Sequence, residues 1–211
     1  LKKADKVTDT KSERTKLRRK TILRAAAELF FEQGYATTSI DAIIERTGGS
    51  KRTIYSEFGS KEGLFLALVA DNADRVISAL SLDYTTQSDL ADTLTTFGNH
   101  LLDVYMSPSV LGIYRIIITE AGRFPDLARV FYERGPGRTT AHLAKVLQAA
   151  ADRKEIQIDD PLLVAGHFVG MIRDNLHLQV VLGLRTPPTE SEARATVASA
   201  VTLFLNGVRS R

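Results

Sequence analysis

The sequence predicts an all-α fold in which a small N-terminal helical unit precedes a larger one. Three observations predict it. Apolar residues recur at helical spacing along most of the 211 residues, and no stretch alternates with period two for long enough to make a strand. Glycine and proline interrupt that pattern at Gly34, Gly48-Gly49, Gly59, Pro108, Pro125, Gly135-Pro136-Gly137, Pro161 and Pro187-Pro188, dividing it into about nine helices. Charge is uneven: residues 1–63 carry +5 and the remainder −2 of the total of +3, which suits a polyanion bound at one end only.

Residues 1–13 are lysine-rich, polar and aperiodic, and are expected to form a disordered basic arm. A first helix is expected from about Arg14 to Gln33, with Ile22, Ala26, Leu29 and Phe30 inward and Arg18, Arg19 and Lys20 near its start; Gly34 ends it. Thr38 stands at an N-cap position, with Asp41 three residues on, and Ile40, Ile43 and Ile44 mark one apolar face. Gly48 and Gly49 turn the chain, and Ser50 caps a second short helix whose inner residues, Ile54 and Phe58, lie four apart. Its other face carries Lys51, Arg52, Thr53, Tyr55 and Ser56. The isoleucines and glycines alone would suit a hairpin that only packs. The polar, donor-rich face favours a helix-turn-helix DNA reader over residues 14–59.

A longer helix, capped by Ser60, runs through Leu64, Leu68 and Val69 toward Leu80 and links the reader to the second unit, residues 60–211. Residues 81–87 read as a loop. Leu90, Leu94, Phe97, Leu101 and Val104 then form a core stripe up to Met106. Pro108 opens a helix that is apolar on nearly every side over residues 110–118. Another follows Phe124-Pro125, and the next runs from Gly135-Pro136-Gly137 to about Arg153. Asp159-Asp160-Pro161 opens a helix to Leu182, and the last runs from about Thr189 to Gly207.

Enzyme chemistry finds no foothold. No nucleophile elbow, Walker A or dinucleotide glycine pattern occurs, and no cysteine is present for a thiolate metal site or disulfide. His167 and His177 share a helix but stand about 15 Å apart by helical rise, too far to hold one metal; no cofactor and no metal are expected. No apolar run is long enough to span a bilayer, and a cytoplasmic protein without membrane contact is the expectation. The chain opens on Leu1 rather than methionine, which predicts that the natural chain starts upstream.

The reader resembles the TetR/AcrR family of bacterial transcription regulators. The resemblance lies in Thr38-Ser39-Ile40, Gly49-Ser50-Lys51, Thr53-Ile54-Tyr55, Phe58, Ser60-Lys61-Glu62 and Leu64-Phe65, with Ala25-Ala26, Leu29-Phe30 and Gly34-Tyr35 before them. Residues Tyr114 to Pro136, with Arg123-Phe124-Pro125 and Phe131-Tyr132-Glu133, are similar to the C-terminal domain of the AefR-like subgroup. Three residues depart from the family pattern. Gly49 replaces a small apolar residue, Gly59 a frequent proline, and Glu57 puts a carboxylate where phosphates would pass.

The resemblance implies a homodimeric repressor that binds a palindromic operator in double-stranded DNA and is released by a small-molecule effector. The residues alone also admit an architectural DNA binder that does not switch. Lys51, Arg52, Thr53 and Ser56 are placed at the bases, Thr38, Tyr55 and Lys61 at phosphates, and Ser50 with them among the DNA-binding residues. An effector pocket is placed among Phe97, Leu101, Tyr114, Ile117, Phe168 and Met171, with His100, Tyr105, Asn175 or His177 orienting the ligand. The polar groups of that helix could equally pair with one another or across a dimer. The dimer face is placed on Ile172, Leu176, Gln179, Val197, Val201, Phe204 and Leu205. The helix from Ser60 is expected to act as a lever, with Gly59 and Gly63 loosening its root, so that Gly59→Pro would stiffen the joint.

Overall fold

The computed structural model describes residues 2–81 and 89–208, and among these it contains ten α-helices and no strand. They are α1 (Lys2–Gln33), α2 (Ile40–Thr47), α3 (Lys51–Phe58), α4 (Lys61–Ser81), α5 (Leu90–Met106), α6 (Pro108–Glu120), α7 (Pro125–Arg134), α8 (Pro136–Asp152), α9 (Pro161–Val181) and α10 (Glu190–Val208). The all-α expectation holds. The expected break at Gly135-Pro136-Gly137 separates α7 from α8, because Gly135 sits at φ −108°, ψ −101°, outside helical space. The expected loop at 81–87 lies outside the described residues from 82 onward.

Helix α1 starts at Lys2 rather than Arg14, so the residues expected as an arm fall within its first turns. No glycine or proline precedes Gly34, and adding turns to a helix already nucleated costs far less than starting one.

Ile22, Ala26, Leu29 and Phe30 of α1 pack with Ile43 of α2, Ile54 and Phe58 of α3 and Leu64 and Phe65 of α4. Phe30, Tyr35 and Phe65 form a triangle of tilted and edge-on rings with centroids 5.4–5.9 Å apart. Tyr35 extends this cluster to Phe124 between α6 and α7, 5.8 Å away, so the reader is docked on the larger unit. In that unit Leu94, Phe97 and Leu101 of α5 pack against Phe168 and Ile172 of α9 and Val197 and Phe204 of α10. Gly98 is the point of closest approach, since a Cβ there would lie 2.8 Å from Val197 and 3.0 Å from Ile172. Arg115 of α6 donates to the carbonyls of Val180 and Val181, placing its charge at the negative end of α9.

Among the described residues no single helix is long and apolar enough to cross a membrane.

Candidate nucleic-acid interface and interior cavity

The second helix of the motif is held from three sides. Ser50 caps α3 by accepting from the Thr53 amide, at 3.3 Å. Arg18 of α1 donates to the Thr53 hydroxyl at 3.4 Å, and Gly49 gives it passage: a Cβ on residue 49 would stand 2.6 Å from its Nη2. Gly49 also has φ +107° and Gly48 φ +71°. The glycine that departs from the family pattern is therefore required by the backbone, and Arg18 passes close over it. At the far end, Glu57 pairs with Arg19 at 3.5 Å, so its carboxylate is partly neutralised by α1.

This leaves Arg52, Tyr55 and Ser56 exposed on one face of α3; among the described residues Arg52 has no hydrogen-bond or ionic partner. Lys51 is exposed too, but its ammonium lies 2.9 Å from Asp41. Thr53 is half-buried, and its hydroxyl is shared with Ser50 and Arg18.

Two of the predicted phosphate ligands are committed elsewhere. Thr38 is 1 % exposed, and its hydroxyl donates to the carbonyls of Leu29 and Gly34, ending α1. The cap of α2 is Ser39, one residue later, which accepts from the Ala42 amide. Lys61 donates to the carbonyls of Tyr35, Ala36 and Thr38 at 2.8, 3.2 and 3.0 Å, using all three ammonium hydrogens. It also lies 4.6 Å from the centre of the Tyr35 ring, and its pKa is lowered by burial. Lys61 closes the α1–α2 connection. The signal missed in the sequence was that this connection leaves three carbonyls without amide partners.

The joint between α3 and α4 is tight rather than loose. Gly59 has φ +77°, and a Cβ on Gly63 would lie 1.9 Å from the Phe58 carbonyl oxygen. Gly59 allows the positive-φ turn and Gly63 the close contact, so α3 is pinned to the root of α4. Proline, fixed near φ −65°, cannot take the Gly59 conformation, and the expectation that it would stiffen the joint is withdrawn.

Further along α4, Val69 lines a small cavity of about 40 Å³ together with Leu101, Val104 and Tyr105 of α5, Val110, Ile113 and Tyr114 of α6, and Phe131, Gly135, Pro136 and Thr139 around the α7–α8 break. Of the predicted pocket residues, Leu101, Tyr105 and Tyr114 are in this wall. His177 is buried against both tyrosines, at 5.3 and 4.6 Å between ring centres. Phe97 and Phe168 instead stack on each other in the core at 6.1 Å, Ile117 and Met171 are half-buried at the edge of the core, and His100 and Asn175 are exposed. Those four and the two phenylalanines are not in the cavity wall. Helical periodicity assigned a face to each helix but not which interior faces leave a gap between them.

The predicted dimer face is also corrected. Ile172, Leu176, Val197, Val201, Phe204 and Leu205 are all buried within the protomer, and only Gln179 is exposed. Their large side chains face inward because α9 and α10 close the core of their own subunit. The outward faces of these helices carry Leu162, Leu163, His167, Leu178 and Leu203.

The geometry of residues 22–68 is that of a family. They match the family model for bacterial regulatory proteins of the tetR family, and residues 92–207 match that of the AefR-like transcriptional repressor C-terminal domain. The chain belongs to the TetR family of transcriptional regulators.

Solved relatives extend over nearly the whole chain. A TetR-family regulator from Mesorhizobium loti superposes with a TM-score of 0.80 at 29% identity, covering 93% of this chain and 99% of its own. The flavonoid-responsive regulator FrrA is 35% identical, with a TM-score of 0.70 over 92% of this chain and 98% of its own. The transcriptional activator FasR of Mycolicibacterium smegmatis is 36% identical over 72 residues, which are 34% of this chain and 33% of FasR, so that match is confined to a third of either protein. These relatives are regulators of transcription, not enzymes.

Proposed function

We propose that this TetR-family protein is a homodimeric repressor that binds a palindromic operator and leaves it when a small molecule enters the cavity. The observation that carries the reading is the course of α4. Its first turn is clamped to the reader through Gly63 and Lys61, and Val69 two turns later is part of the cavity wall. A ligand that displaces Val69 displaces α3. In a dimer the two reader helices must sit about 34–36 Å apart to enter successive major grooves, so a small swing of α4 is enough to spoil the fit. The ligand needs only a preference of a few kcal/mol for the unfitted spacing.

Arg52, with Tyr55 and Ser56 beside it, is the residue placed to read bases; Lys51 joins it when it exchanges Asp41 for DNA. Dimerisation is assigned to the outward faces of α9 and α10, where Leu162, Leu163 and Leu203 are each more than half exposed, beside the small Gly166, Gly170, Ala198 and Ser199. Small residues let paired helices approach closely, and four such helices, two from each subunit, bury the leucines. The flavonoid response of FrrA supports a small organic effector here as well. The cytoplasm, where bacterial DNA lies, is the proposed site of action.

Selection of genomic fragments by the purified protein, with and without a metabolite mixture, tests the whole reading. It expects one palindromic class of fragment, bound by a dimer and lost on adding the mixture. A monomer in sedimentation at micromolar concentration, or binding indifferent to every metabolite fraction, refutes it.

A further inference from the structure

The inner end of the cavity carries a chemical imbalance. The guanidinium of Arg173 lies over the faces of Tyr105 and Tyr114, 5.3 and 5.1 Å from their centres, and both rings belong to the cavity wall. Among the described residues no carboxylate lies within salt-bridge distance of it; neighbouring Asp174 is exposed, at a break in α9 where φ is +41° and ψ −165°. Arg173 Nη2 points its hydrogen toward His177 Nδ1 at 3.5 Å, which leaves the ring proton of the neutral imidazole on Nε2. That Nε2, the Nε of Arg173 and the hydroxyl of Tyr114 are all buried without a hydrogen-bond partner. Two N–H donors and one positive charge therefore meet no carboxylate, and the one acceptor beside them is the neutral hydroxyl of Tyr114, which the Tyr105 hydroxyl also approaches. Each such group is costly when left unpaired, and natural interiors hold few of them.

We propose that the cavity binds an apolar molecule ending in a carboxylate, whose oxygens accept from Arg173, Tyr114 and His177 while its body lies against Leu101, Ile113 and Phe131. The proposal rests on the effector reading above and names the ligand class that reading leaves open. A carboxylate is acceptor-only and negative, and so complements every unpaired atom in the cluster. An amine would add donors to donors, and an alcohol would satisfy one atom and leave the charge unpaired. The ligand has to widen this cavity of about 40 Å³, and its head group, to reach the cluster, has to part the edge-to-face contact of Tyr105 and Tyr114, now 6.1 Å between centres. The ligand thereby bears on α5 and α6 as well as on Val69.

Titration calorimetry of the full chain with phenylbutanoate, phenylbutanol and phenylbutylamine separates these cases, since the three share one skeleton. The acid is expected to bind at least about tenfold more tightly than the alcohol, the equivalent of one charge-assisted hydrogen bond, with the amine weakest. Arg173→Gln should bring acid and alcohol to near parity without weakening the alcohol. Arg173→Lys should restore part of the preference, and Tyr114→Phe should lower it by a smaller factor. Arg173→Gln removes an unpaired charge from the interior and is expected to fold; thermal unfolding checks this, and Tyr114→Phe keeps the test open if it does not. Equal binding of acid and alcohol, a preference that survives Arg173→Gln and Tyr114→Phe, or no binding of any of the three at millimolar concentration overturns the proposal. Release of a selected operator fragment is read separately. Arg173-dependent binding of the acid without release would keep the ligand class and discard effector control, whereas release by the alcohol alone would do the reverse.

Discussion

Phe31 of α1 and Gly112 of α6 meet so closely that a Cβ on residue 112 would lie 2.3 Å from two atoms of the phenylalanine ring. This contact sets the distance between the reader and the helix that walls the cavity on its other side, through Ile113 and Tyr114. Alanine at 112 would gain up to about 1 kcal/mol in helix propensity but cost about 1–3 kcal/mol in overpacking. Because the Phe31 ring is only half-buried it can swing aside, and Gly112→Ala is expected to lose about 1 kcal/mol in urea unfolding and to change ligand-free operator affinity. Unchanged stability and affinity together would show that the contact transmits nothing.

Lys61 holds three carbonyls, so its loss should be felt in folding before it is felt in DNA binding. Lys61→Met is expected to cost about 1–3 kcal/mol of stability while leaving the salt dependence of operator binding close to that of the parent. A phosphate-binding lysine would give the opposite pair of results, with intact stability and a salt slope lowered by roughly one unit.

Arg52 is the counterpart. With no partner among the described residues, Arg52→Ala should leave stability within about 0.5 kcal/mol of the parent. It should lower discrimination at one base pair by about 1–3 kcal/mol, read by competition between the selected operator and its single-base variants. An equal loss on operator and random DNA would place Arg52 on phosphate instead.

Gly59→Pro and Gly59→Asn distinguish the conformation of the α3–α4 joint from its flexibility. At φ +77°, ψ −48°, outside the left-handed helical region, asparagine too is strained, whereas proline cannot reach a positive φ at all and requires the joint to rebuild, at about 3 kcal/mol or more. Denaturant midpoints should therefore fall in the order parent, asparagine, proline. Proline matching the parent would mean that the left-handed turn is dispensable.

Burial first, and the charge of Arg173 second, push the His177 imidazole down from 6.5 to about 4. Between those values the unfolded chain binds a proton that the folded chain does not, so stability rises with pH across that window. It is fully present above pH 6.5 and is lost as the pH falls toward 4. The contribution is of the order of 1–3 kcal/mol. His177→Phe should flatten this part of the stability profile relative to the parent in paired denaturation series at pH 4 to 7. A profile of unchanged slope would assign the acid sensitivity to other groups.

Local signals were sufficient for much of this protein. Helical spacing, Ser50 as a cap, Gly48 and Gly49 as a turn, and prolines at helix starts each act within a few residues, and together they made the all-α class and the reader legible. The same signals led to Thr38 as a cap, because threonine and serine serve that position almost equally; which of two neighbours is buried depends on how α1 ends against α2.

What only the tertiary structure decided were relations between distant residues. That Arg18 needs Gly49, that Lys61 closes a connection some 25 residues earlier, and that Val201 and Phe204 face inward while Leu203 faces out depend on which helix lies opposite. Periodicity defines a stripe but not its partner, and α9 is apolar on too many sides to define even the stripe. The cavity is the clearest instance. It exists where α4, α5, α6, α7 and α8 fail to fill the space between them, and the unpaired Arg173 beside it takes its meaning from the absence of any carboxylate among the described residues that fold around it. Composition specifies how many charges a chain carries, but burial and distance determine which of them lack a partner.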